Sequence, residues 1–148
     1  EKAESFPFEQ KFFDTVLLLD VIEHLREPGH ILRIIKPYLK PDAKIIISTP
    51  NIAHILIRLK LLFGKFRYEE KGIMDRTHVH FFTKKTLTEF IEQNGFEILE
   101  EDFPADFGLL PFLGSWLRKI PKPLQYKISQ LFPALLCGQF ILVCRPKK

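Results

Sequence analysis

Asp20, Glu23 and His24 stand at i, i+3 and i+4, just after the apolar run Val16 to Leu19. If the chain turns helically there, two carboxylates and an imidazole share one face. Such a set suits a hard divalent cation or acid–base work. A second concentration of these groups lies downstream, where Asp75-Arg76-Thr77-His78-Val79-His80 brings two imidazoles within three residues. In an extended chain His78 and His80 project to one side. The plainer alternative has Asp20 capping the turn, Glu23 and His24 solvated, and the downstream histidines structural.

Apolar patterning predicts the elements that position these groups. Val16 to Leu19 lacks polar alternation, as in a strand buried on both faces of a parallel sheet. In open α/β sheets ligands bind at the carboxyl ends of strands, which directs attention to Asp20 through His24. Ile31, Leu32, Ile35, Tyr38 and Leu39 form a helical stripe that Pro37 should kink or shorten. Pro41-Asp42 predicts a turn. Lys44 to Thr49 reads as a second strand, and Asn51 beyond it as a helix cap. Ile52, Ile55, Leu56, Leu59, Leu62 and Phe63 follow helical spacing up to Gly64. Ile57 and Leu61 add apolar surface on the other side, beside Arg58 and Lys60. Such a helix is buried nearly all round, or it packs against a partner, a lipid or another part of the chain.

Thr83 should cap a helix carrying Leu87, Phe90 and Ile91, with Gly95 ending it. Phe96 to Phe103 and Gln139 to Cys144 read as strands. Residues 104–136 carry five prolines and read as short apolar helices in a cap or insertion. Strands and helices alternate, so the class is α/β.

With 148 residues, 46% hydrophobic and 15 Phe, the chain can bury one packed core. Cys137 and Cys144 lie in an apolar stretch and read as buried, reduced thiols, which points to the cytoplasm. No apolar run approaches the ~18 residues of a membrane span. Glu1-Lys2-Ala3-Glu4 is not a signal peptide, and without an initiator Met the chain reads as a fragment or a processed product. The net charge of +4 is unevenly placed. Residues 105–148 hold seven cations against Asp106 alone, a local charge of +6. They are interleaved with Phe107, Phe112, Trp116, Tyr126 and Phe132. Such a tail could meet an anionic membrane surface, a phosphorylated substrate or, less in keeping with the rest of the chain, nucleic acid; the plainer reading is an aromatic core edged by snorkelling cations.

Taken together, residues 3–103 and the last strand resemble the C-terminal half of a class I S-adenosylmethionine-dependent methyltransferase. The carrying residues are Phe13-Asp14, Asp20-Val21-Ile22-Glu23-His24-Leu25, Ile46-Ile47-Ser48-Thr49-Pro50-Asn51, Asp75-Arg76-Thr77-His78 with Phe81-Phe82-Thr83, and Asn94-Gly95-Phe96. The resemblance implies a partial Rossmann-like fold: strands in the order 4-5-7-6 with flanking helices, strand 7 antiparallel, and the first three strands absent. Residues 1–148 are then the C-terminal part of one methyltransferase domain, with 104–136 enlarging the last connection. The open strand edge should be covered, by a second copy of the chain or by a rearrangement.

The resemblance also implies roles. Leu19, Asp20 and Val21 would form a wall of the cofactor pocket. Ala3 would lie near the adenine, although Lys2 stands where relatives commonly place an acid. Asp20, Glu23 and His24 resemble the Glu-x-x-Glu-His element of ubiquinone-pathway O-methyltransferases and of small-RNA 2′-O-methyltransferases. In those families the element, in the RNA enzymes completed by a downstream His, holds a divalent cation. Here His78 matches that His, so Asp20, Glu23, His24 and His78 are the implied ligands, and His24 or His78 the implied general base. The implied reaction is O-methylation of a small-molecule, lipid-linked or glycan hydroxyl, in the cytoplasm or at a membrane surface reached through the basic tail. The rivals are a non-catalytic binding fragment and a metal-dependent RNA methyltransferase. The first glycine is Gly29, so no glycine-rich cofactor loop precedes the first strand, and the 148 residues alone are expected to bind S-adenosylmethionine poorly or not at all.

Overall fold

The computed structural model describes residues 8–105 and 119–147. Ala3, Lys2 and the aromatics Phe107, Phe112 and Trp116 lie outside the described residues. Four strands form one sheet in the order β1-β2-β4-β3: β1 Phe13–Leu19, β2 Leu39–Pro50, β3 Phe96–Asp102 and β4 Gln139–Pro146. β1 and β2 run parallel, while β4 runs antiparallel to both β2 and β3. This is the arrangement that the resemblance implies. The helices are α1 Pro28–Ile35, α2 Ile55–Leu62, α3 Lys84–Gln93, α4 Lys122–Leu131 and α5 Pro133–Leu136.

Alternation along the strands decides which face is buried. Leu18, Ile45, Ile47, Phe140 and Leu142 point to one side and pack with Leu32 and Ile35 of α1 and Leu87 and Ile91 of α3. The opposite face is barer. Leu17 and Leu19 are more than half exposed, so β1 is not buried on both faces as its composition predicted. The reason is its place at the edge of the four-stranded sheet, where a continuous apolar run has neighbours on one side only.

Local signals mostly hold. Pro37 cannot donate to a helical ladder, and α1 stops at Ile35 before a 3-10 turn, Lys36–Tyr38. Thr83 and Thr86 form a reciprocal capping box at the start of α3. Gly95 takes a φ of 81° beyond its end, a conformation that glycine adopts without a Cβ penalty. Pro41-Asp42 does not interrupt the chain as expected. It lies inside the 12-residue β2, opposite a register shift between Phe13 and Thr15 that absorbs the extra residues.

Asn51 is not the cap of α2; His54 takes that role, its Nδ1 accepting the Leu56 N–H at 3.2 Å. Asn51 is fully buried at the end of β2. Its Nδ2 donates to the carbonyls of Cys137 at 2.9 Å and Ala134 at 3.3 Å, and its Oδ1 accepts the Ala53 N–H at 2.9 Å. This one side chain ties the α2 entry to the turn leading into β4. Asn51→Ala strands those groups in the interior and should cost about 2 kcal/mol or more in urea unfolding.

Candidate active site

The parallel register sets Leu19 against Ser48, and the antiparallel register sets Pro50 against Gln139. Asp20, Ser48 and Gln139 therefore meet at one end of the sheet. Asp20 leaves β1 with a φ of 52°, in the left-handed region that short polar side chains tolerate best after glycine. Its N–H donates to the carbonyl and hydroxyl of Ser48, at 3.1 and 3.0 Å. Its Oδ1 accepts from the Ser48 hydroxyl at 3.1 Å and from Gln139 Nε2 at 2.5 Å.

The chain then makes a single 3-10 turn, Ile22–His24. Asp20 stands outside that turn, so it does not share a helical face with Glu23 and His24. Among the described residues, the groups that converge are Glu23, His24 and His78. One Glu23 carboxylate oxygen and one ring nitrogen from each histidine lie within 4.8 Å of one another. The two rings meet edge to face with centroids 4.7 Å apart. Glu23 and His78 are buried, while His24 is exposed.

Glu23 is the anchor of this cluster, with only 1% of its surface exposed. Its Oε2 accepts from the buried Thr49 hydroxyl at 3.1 Å, and its Oε1 is buried without a hydrogen-bond partner. Its backbone carbonyl accepts the N–H groups of Val79 and His80, at 2.8 and 3.0 Å. Those two bonds bring the His78 segment against the 3-10 turn. Asp75 shapes the approach: its Oδ1 accepts both the hydroxyl and the N–H of Thr77, at 2.6 and 2.8 Å. Those hydrogen bonds, the hydroxyl's first, hold the Asp75 carboxyl below the usual carboxylate range.

The ring tautomers follow from the partners. His24 Nδ1 meets the Thr77 carbonyl at 3.2 Å, and His78 Nδ1 meets the Ile73 carbonyl at 3.1 Å. A carbonyl only accepts, so each Nδ1 carries the hydrogen and each neutral ring keeps its lone pair on Nε2. An imidazole fixed in this way through its other nitrogen suits a metal ligand or a proton acceptor. His80 goes elsewhere, its Nε2 lying 3.0 Å from the Arg26 carbonyl.

A cavity of about 380 Å³ opens beside the cluster, lined by Asp20, Glu23, Ile73, His78, Ala105 and Gln139 among others. Of the residues expected to wall a cofactor pocket, Asp20 lines this cavity, while Leu19 is exposed and Val21 half-buried. The thiols are not candidates for nucleophiles. Burial pushes Cys137 up to about 11 and Cys144 up to about 12. Sequence reasoning passed over Thr49, Ser48 and Gln139. A Ser-Thr pair ending an otherwise apolar strand was a usable signal, since buried hydroxyls need partners. Gln139 carried none, because its role depends on cross-sheet register.

Burial, above all, raises the Glu23 carboxyl pKa. The folded chain therefore holds this proton more tightly than the unfolded chain. Its contribution to stability is largest with the carboxyl protonated and declines as pH rises from the unfolded value through the folded one. In chelator-treated buffer, Glu23→Gln should gain stability relative to wild type between about pH 4 and about pH 7, as read by urea unfolding. An unchanged difference across that range would mean that Glu23 ionises without cost.

Comparison with known proteins bears on what this site belongs to. The family model described as "Methyltransferase domain" matches residues 1–101. No curated protein sequence matches the chain. Several solved structures are similar. A SAM-dependent methyltransferase from Archaeoglobus fulgidus is 17% identical with a TM-score of 0.53, the match covering 91% of this chain and 60% of that one. A SAM-dependent methyltransferase from Thermotoga maritima is 17% identical with a TM-score of 0.56, covering 100% and 62%. The Burkholderia thailandensis 1,6-didemethyltoxoflavin-N1-methyltransferase, with its bound substrate and S-adenosylhomocysteine, is 14% identical with a TM-score of 0.52, covering 95% and 47%. The chain thus spans less than two thirds of each of these structures, and they share its fold. The family match extends over more than half of the sequence, and the chain belongs to the methyltransferase-domain family.

Proposed function

We propose that this chain carries the acceptor-activating part of an S-adenosylmethionine-dependent O-methyltransferase site, built on Glu23, His24 and His78. The observation that supports this reading best is the buried Glu23 carboxylate, whose Oε1 has no partner although two oriented imidazoles stand close by. Burial favours the neutral form of this carboxyl, and a cation shared with the imidazoles would compensate its charged form. The donor set of one carboxylate and two imidazoles fits a divalent cation such as Mn²⁺ or Zn²⁺. Held by Glu23, His24 and His78, such a cation would supply Lewis acidity that lowers the pKa of an acceptor hydroxyl. S-adenosylmethionine, when bound, supplies an electrophilic methyl group.

The chain's own residues account for the remaining tasks. The cavity beside the cluster has room for a small hydroxyl-bearing acceptor. Ile73 and Ala105 give it apolar walls, and Gln139 and Asp20 give it polar ones. The acceptor must lose a proton as its oxygen is methylated. His24 Nε2 is the acceptor of that proton in the absence of a cation, because His24 is exposed and can release it to water. Thr77 holds that ring through Nδ1, so the lone pair stays on the reactive nitrogen.

Metal uptake tests the assignment directly. The chain should quench the free Mn²⁺ signal in electron paramagnetic resonance, and His78→Asn should weaken uptake by about 100-fold or more. Uptake that is absent, or equal in the variant, would remove the cation from the reading. Calorimetry with S-adenosylmethionine addresses the cofactor. The 148 residues should bind it weakly or not at all, and micromolar binding would refute that.

A further inference from the structure

The apolar residues of α2 and the loop after it are only partly used by the core. Ile57 packs beneath with Ile73 and Met74 in a small cluster of its own. On the outer side Leu61, Phe66 and Tyr68 are exposed, and Leu62 and Phe63 keep 76% and 73% of their surface in solvent. The loop is not loosely attached. Lys60 pairs with Glu69 at 2.5 Å, the Lys65 N–H donates to the Lys60 carbonyl at 2.8 Å, and the Glu69 N–H donates to the Met74 carbonyl at 2.8 Å. A braced surface that presents adjacent Leu and Phe side chains to water marks an interaction site.

Charge selects the partner. Residues 58–71 contain Arg58, Lys60, Lys65, Arg67 and Lys71 against Glu69 and Glu70, a net charge of +3. Lys60, Lys65, Arg67 and Glu69 line a concavity of about 370 Å³ next to the exposed apolar tip. A second copy of the chain would bring the same positive surface to this face and be repelled. An anionic lipid surface satisfies both features: phosphates meet the basic concavity while Leu62 and Phe63 enter the acyl boundary. Tyr68 is a residue type that settles at headgroup level, and Phe66 adds to the apolar face.

We propose that the α2 tip and the following loop form a docking surface for an anionic phospholipid bilayer, with a lipid phosphate seated at Lys65 and Arg67. This surface is apart in sequence from the basic residues of 105–148 and does not depend on the chemistry read at Glu23. The chain returns from it through Gly72 and Ile73, which line the cavity beside His78. Docking there would bring a membrane beside the candidate active site.

Vesicle flotation without cofactor or metal tests the proposal. The chain should float with vesicles of phosphatidylcholine and phosphatidylglycerol and stay behind with phosphatidylcholine alone. The double variant Leu62→Ser/Phe63→Ser should lose binding by on the order of ten-fold, since both side chains are exposed and their replacement spares the core. Lys65→Glu/Arg67→Glu should lose it to a similar degree and remove most of its salt dependence. Circular dichroism confirms that each variant folds. No flotation above the neutral-vesicle level, or flotation that the Leu62/Phe63 variant retains, would overturn the proposal. So would self-association, or capture by an acidic protein, that the same substitutions abolish while vesicle binding is absent.

Discussion

A carboxylate removed from water and left with half of its hydrogen-bonding capacity unused is the constraint around which this site is built. Glu23 could sit at the surface, as glutamates ordinarily do. Instead a 3-10 turn directs it inward against the Thr49 hydroxyl, and its main-chain carbonyl accepts two N–H groups from the segment that carries His78. The residue thus works through both its parts. The backbone joins two distant stretches of chain, and the side chain presents an unmatched oxygen where they meet. The imidazoles that face it are each fixed by a main-chain carbonyl, so the arrangement does not rely on long, freely rotating side chains.

Much of this was legible in the sequence, for identifiable reasons. The capping box at Thr83, the glycine after α3 and the stop at Pro37 are local devices whose physics acts within a few residues. The cluster was legible as residue types, because Glu23, His24 and His78 are the groups that such chemistry uses. Its composition was less so. Asp20 shares the spacing expected of a fourth member, but that spacing assumed a helix. The left-handed turn at Asp20 sends its carboxylate to Ser48 and Gln139 instead. Such a departure is invisible to periodicity, which assumes that the regular element starts where the pattern does.

The two errors about strands have a common cause. β1 reads as fully buried because Val16 to Leu19 is uniformly apolar, yet only Leu18 is buried. β2 reads as starting after Pro41-Asp42 because a turn-favouring pair looks like a boundary, yet the strand runs through it. In both cases the composition is right and the neighbours decide. An apolar side chain is buried only when another element covers it, and a proline is tolerated where the partner strand makes no demand on its missing donor.

The position of β4 has a bearing on how the chain assembles. β4 is the latest strand in sequence, yet it lies between β2 and β3. During synthesis β2 could pair with β1, but its other edge and the β3 edge that meets β4 would leave the ribosome unpaired, and the sheet could not close until residues 139–146 had emerged. Removing that segment would therefore split the sheet down its middle rather than trim its rim. Nascent chains halted before that point would hold two unsatisfied strand edges, the kind of surface that chaperones retain.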